Sequence, residues 1–255
     1  MKKFIFLLSF LILISLASVT ANAEDTTYSW FCVHRRDHLQ PIADCSFDFI
    51  NKYDGYYIDK KHGNDCDEKV IYLTFDAGYE NGNVEKILDI LNGEGVKGAF
   101  FVLGHLINDN PELISKMFDG GHLVCNHTFS HKAMVGKSRQ DFKQELESLE
   151  QACLETTGRE LSKYYRPPEG RFDEDSLKYA KDMGYKTIFW SFAYADWDNS
   201  SQMSPEKAKK KILDNIHNGE IMLLHPTSET NAKILEEIIR ELKQQGYRFG
   251  TLDEL

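Results

Sequence analysis

The chain has no surplus of positive charge: 30 Lys and Arg stand against 40 Asp and Glu, a net charge of -10. Its one basic run, Lys207 to Lys211, reads as a solvated helix face, so nucleic acid is not an expected partner. No CxxC spacing occurs, which removes a cysteine-based zinc centre from consideration. The five cysteines are an odd number, so they cannot all pair within one chain. Cys32, Cys45 and Cys66 lie in the N-terminal part, where a staple between two of them is expected. Cys125 and Cys153 sit in apolar surroundings and read as buried thiols. Internal repeats and low-complexity segments are absent.

Long apolar runs are missing too, with one exception. Met1-Lys2-Lys3 is positive, Phe4 to Val19 is almost wholly apolar, and Ala21-Asn22-Ala23 supplies small residues. That is the three-part pattern of a secretory signal with cleavage after Ala23. The expectation is an exported, extracytoplasmic protein, the alternative being an uncleaved membrane anchor. Export permits disulfides.

The remaining chain falls into two parts. Residues 24–67 are an irregular arm rich in Asp, Tyr and Gly. Trp30, Tyr53, Tyr56 and Tyr57 are expected to pack it onto the body, the alternative being that they line a groove. From Glu68 onward, short apolar runs alternate with helical periodicity. Strands are expected at 70–75, 99–103, 122–125, 164–165, 186–190, 221–224 and 247–249. Helices are expected over 83–94, from Pro111 through Met117, over 138–157 and 173–183, from Pro205 with Ser204 as cap, and over 231–245. Such alternation with short links indicates a parallel α/β fold, barrel or open sheet.

Four chemically useful residues fall just past strand ends: Asp76, His127, Arg166 and His225. That end of a parallel sheet carries the active site in α/β folds. His127 and His131 are four apart, so on a helical turn both imidazoles would face one ion. Asp76 can accept a proton from an attacking water. Arg166 offers a planar fork that keeps that carboxylate ionised, on a turn stiffened by Pro167-Pro168. His225 can protonate a leaving group, with Asp196 fixing its tautomer. Asp198 is a second acid nearby, and Trp197 is either pocket wall or core.

The segments TFDAGYE (74–80), NHTFSH (126–131), RPPEGRF (166–172), ADW (195–197) and LLHP (223–226) together resemble the polysaccharide deacetylases, the NodB-homology or carbohydrate esterase family 4 domain. The resemblance covers about residues 68–255. It implies a distorted (β/α)7-type barrel and a divalent metal, zinc first, with cobalt or manganese as alternatives. It implies hydrolysis of an N-acetyl group on an amino-sugar polymer. It casts Asp76 as base, His127 and His131 as metal ligands, Arg166 as partner of Asp76, and His225 as acid assisted by Asp196. One position departs: Ala77 stands where the family has a second acid that completes the metal shell.

Gly78-Tyr79-Glu80-Asn81 and the arm are similar to one subgroup, the delta-lactam-biosynthetic de-N-acetylases. That likeness implies N-acetylmuramic acid of peptidoglycan as substrate, a step toward muramic delta-lactam in spore cortex. It also implies functional coupling to an N-acetylmuramoyl-L-alanine amidase. A monomer is expected. The alternatives are deacetylation of N-acetylglucosamine in peptidoglycan or chitin-type chains, and a non-catalytic glycan-binding protein that lost turnover through Ala77.

Overall fold

A computed structural model describes residues 26–255. The expected signal sequence and its cleavage site lie outside the described residues. Among the described residues no helix is long and apolar enough to cross a membrane.

The centre is one eight-stranded sheet, parallel at every ladder. Its strands are β2 (Gly55–Tyr56), β3 (Lys69–Ala77), β4 (Gly98–Val102), β5 (Leu123–Asn126), β6 (Ser162–Tyr165), β8 (Lys186–Ile188), β9 (Glu220–Leu224) and β10 (Tyr247–Phe249). A separate two-stranded ribbon joins β1 (Tyr28–Ser29) to β7 (Arg171–Phe172). The sheet curls from β3 through β4, β5, β6 and β8. The last seam, back to β9, is made by isolated bridges, Phe192 to Met222 and Ile58 to Glu220, rather than a full ladder. The result is the distorted (β/α)7-type barrel.

Alternation within the strands builds two layers of core. Val70, Tyr72, Ala99, Phe101, Cys125, Ile188 and Ile221 pack together inside the curl. Ile71, Leu73, Phe75 and Phe100 point the other way, beneath the helices. A strand covered on both faces needs apolar residues at nearly every position, which is why β3 reads as a continuous run.

Among the described residues seven helices cover the outside: α1 (Asn83–Gly93), α2 (Gly104–Asp109), α3 (Pro111–Asp119), α4 (Arg139–Thr157), α5 (Glu174–Asp182), α6 (Pro205–Asn215) and α7 (Glu229–Gln244). Ser138 caps α4 by accepting from Asp141 N, and Asp173 closes a capping box on α5. Ser204 occupies the cap position of α6 but makes no side-chain capping bond there. Helix α7 starts earlier than its periodicity suggests, because Ser228 caps it through Asn231 N. Helix α2 has only six residues, too few to show a period, and was not expected. Lys209 and Lys210 of the basic run are tied to Glu237, Glu241 and Asp214 at the surface.

Two expectations need correction. The arm is not merely irregular. A 3-10 helix spans Cys45–Tyr53, β2 adds a strand to the barrel beside β8, and β1 clamps β7. Its aromatic residues supply the reason: Trp30 is buried and stacks on Phe189 at 4.6 Å, with Phe47 and Tyr57 around it. The expected disulfide among Cys32, Cys45 and Cys66 is absent, and all five cysteines are free thiols. Aromatic packing holds the arm in its place. Cys125 and Cys153 are buried, as read.

Candidate active site

A cleft of about 760 Å³ opens at the C-terminal ends of the strands. Asp76 reaches it from the end of β3, His127 and His131 from the loop after β5, and His225 from the loop after β9.

Arg166, the first residue past β6, is wholly buried. Nε donates to Ile188 O at 3.0 Å, and Nη2 to Thr74 Oγ1 at 2.8 Å and to Phe189 O at 3.2 Å. Nη1 donates to Asp76 Oδ1 at 2.8 Å. The guanidinium lies over the Phe101 ring, 4.2 Å from its centroid. A buried cation survives because its donors are satisfied and its charge is matched. Burial alone would raise the Asp76 carboxyl. The Arg166 guanidinium, with His127 and His225 nearby, outweighs it and holds the carboxyl below its ordinary 3.8.

The two histidines come together, but not on a helical turn. Residues 127–131 are non-helical, and Thr128 and His131 hold left-handed φ of 70° and 57°. Asn126 Oδ1 accepts from Thr128 N at 2.9 Å, and Thr128 Oγ1 accepts from His131 N at 3.0 Å. These bonds fold the loop so that the ring centroids lie 5.0 Å apart. Strained residues of this kind gather at functional sites.

His127 Nδ1 is 2.9 Å from Arg166 O, and a carbonyl only accepts, so the proton sits on Nδ1. Nε2 keeps its lone pair and faces Asp76 Oδ2 at 3.6 Å. Burial pulls His127 down to about 4, so the ring is neutral. A neutral imidazole oriented by a carbonyl is what a divalent metal requires. Among the described residues no three His, Cys, Asp or Glu side chains converge as a metal cage. The donors at this rim are the imidazoles of His127 and His131, 5.0 Å apart, and these are the residues that would hold a divalent ion. Ala77, at the end of β3, offers no donor.

His225 forms the second half. Its Nδ1 is 2.7 Å from Asp196 Oδ1, and its backbone N donates to Asp196 Oδ2 at 2.8 Å. Burial would lower this imidazole, but the Asp196 carboxylate outweighs it and raises His225 above 6.5. Asp198 instead accepts from Ser200 in the same loop and takes no part.

Arg166, Asp76 and the two histidines thus meet in one cluster, with His225 and Asp196 as a second pair on the same cleft. The chain belongs to the polysaccharide deacetylase family. The family profile, described as polysaccharide deacetylase, matches residues 63–188. The peptidoglycan-N-acetylmuramic acid deacetylase PdaA of Bacillus subtilis is 40% identical over 244 residues, covering 94% of this chain and 91% of that protein. Its solved structure, a family 4 carbohydrate esterase, overlays with a TM-score of 0.85, covering 91% of this chain and 97% of that one. A peptidoglycan-N-acetylglucosamine deacetylase of Bacillus cereus is 32% identical over 74% of this chain and 88% of its own. A family 4 pseudoenzyme from Bacillus anthracis, 27% identical, overlays at 0.70 and covers 79% of this chain and 68% of that one. Members of this family are hydrolases of N-acetyl amide bonds and are generally metal-dependent.

Sequence reasoning missed several participants. Asn231 is buried; its Nδ2 donates to Asp196 Oδ2 at 2.6 Å and to His225 O at 3.2 Å. Tyr194 OH in turn bonds Asn231 Oδ1. Nothing in the sequence marks Asn231 beyond its place in the first turn of a helix. Thr74 stood inside a quoted motif without a role. His105, Glu169 and Trp190 also line the cleft. Trp197 is 60% exposed with its ring 6.1 Å from that of His225, so it is wall rather than core.

Proposed function

We propose that the chain removes the N-acetyl group from N-acetylmuramic acid residues of peptidoglycan, outside the cytoplasm. The observation that carries the reading is the pairing, in one cleft, of Asp76 with Arg166 and of His225 with Asp196, contacts that favour a carboxylate as proton acceptor and an imidazolium as proton donor. Amide hydrolysis needs both: a proton leaves the attacking water, and one reaches the departing nitrogen. The choice of sugar rests on the 40% identity to PdaA.

His127 and His131 would hold the divalent ion, zinc first, with cobalt or manganese as alternatives. When bound, such an ion polarises the acetyl carbonyl and acidifies water. Asp76 takes the proton as the water oxygen bonds to the carbonyl carbon. Arg166 keeps that carboxylate from turning away. His225 delivers its Nε2 proton to the amine as the C–N bond breaks, leaving acetate and a free amino sugar. Asp196 accepts from Nδ1 and stabilises the imidazolium that carries the Nε2 proton, while Asn231 holds the Asp196 carboxylate in place. A lactyl carboxylate freed beforehand by an amidase would then lie beside the new amine, the arrangement a delta-lactam requires.

Incubating the full chain with amidase-treated glycan strands and added zinc, cobalt or manganese tests this. Acetate release is expected, with muramic acid, free of its acetyl group, found by mass spectrometry of enzymatically digested strands. Glucosamine in place of muramic acid would select the sugar preference of the B. cereus relative. Ala77 favours a second reading, glycan binding without turnover. Strand binding with no acetate under any metal would select it.

A further inference from the structure

We propose that Tyr79 is a stacking platform for a sugar unit adjoining the one that reacts, so that the cleft selects glycan chains over single sugars. This rests on the deacetylase reading of the same cleft. Few large apolar side chains are exposed among the described residues. Four lie in the arm between Phe31 and Ile42, and Leu154 lies on α4. The remaining two, Tyr79 and Trp197, both line the cleft. Isolated exposed apolar residues are ordinary, but two in one cleft beside the proton-transfer groups are not.

The two have different tasks. Trp197 touches His225 and so borders the reacting sugar. Tyr79 stands three residues past Asp76, in the loop between β3 and α1, and is 47% exposed. Its hydroxyl accepts from Asn199 Nδ2 at 2.9 Å, a bond that reaches across to the loop carrying Trp197. That bond satisfies the polar end and fixes the ring, while its apolar body stays in water. A pyranose ring offers a matching surface, an apolar C–H face rimmed by hydroxyls. Stacking the two removes apolar area from water on both sides. The cleft, about 760 Å³, lies in the upper part of the range for small-molecule sites, roughly 300–1,000 Å³. One sugar does not fill it.

The test compares full-length wild type, Tyr79→Ala and Tyr79→Phe on amidase-treated glycan strands and on free N-acetylmuramic acid. Strand binding is read separately by affinity electrophoresis. Tyr79→Ala should raise KM for strands about tenfold, with kcat within about twofold, and leave the low turnover of the single sugar unchanged. Tyr79→Phe keeps the ring and should stay within about threefold of wild type. Three results would overturn the proposal: an unchanged strand KM in Tyr79→Ala, an equal loss on both substrates, or Tyr79→Phe as impaired as Tyr79→Ala. If wild type releases no acetate, the deacetylase reading fails while strand binding still decides. Weaker binding by Tyr79→Ala then supports the platform, and equal binding refutes it.

Discussion

Asp76 and His225 work because their neighbours push them in opposite directions. Replacing His225 with Ala removes the proton donor and should lower kcat by about 10²–10⁴ while leaving metal affinity intact, measured by acetate release and metal titration. Arg166→Ala leaves Asp76 without its counter-ion, so chemical unfolding should show a loss of about 3–5 kcal/mol. Ala77→Asp adds a third donor at the end of β3, and calorimetry should show tighter zinc binding. Unchanged affinity would place Ala77 outside the coordination shell. The sequence announced Asp76, His127, Arg166 and His225 because each falls at the end of a predicted strand, a position that chain order alone reveals, and His131 through its spacing from His127. It was silent on Asn231, which acts only through the fold's closure of α7 onto Asp196. It also gave the histidine pair a helical geometry. Spacing of four permits that, but Thr128 and His131 adopt left-handed backbone instead.

The elements that set the site are short loops locked to their neighbours. Gly104 opens α2, and its N donates to Phe129 O at 3.0 Å within the histidine loop. A Cβ there would come within 2.5 Å of the Phe129 ring and 2.9 Å of its carbonyl. Gly104→Ala should therefore displace His127 and His131 and reduce kcat by about 10- to 100-fold with little change in overall helicity. The same packing logic explains which elements could be read in advance. Long helices such as α4 and α7 have enough turns to display a period. Helix α2 has a turn and a half, and β1, β2 and β7 have two residues each. Such pieces exist because tertiary partners hold them. The arm's aromatic residues were visible, yet nothing local says that β2 finds β8 across more than a hundred residues.

The whole molecule responds to pH through the same pair. Asp76, held low, stays ionised well into acid. His225, held high, keeps its proton beyond the ordinary imidazole range. The protonated His225–Asp196 contact contributes stability that is complete below pH 6.5 and is lost as pH rises through the elevated folded value. Activity should span neutral pH, falling on the alkaline side as His225 deprotonates. Asp196→Asn removes the carboxylate that raises it, and the alkaline limb of the rate profile should move to lower pH. With no disulfide among the described residues, a thiol titration of the denatured chain should find all five cysteines, and reductant should leave Tm unchanged.

The most direct measurement follows acetate released from amidase-treated glycan strands by metal-loaded wild type, by the chelated protein and by Asp76→Asn. The account predicts turnover by the first, and loss of at least two orders of magnitude in the other two. Undiminished release by Asp76→Asn, or none from the metal-loaded wild type, would contradict it.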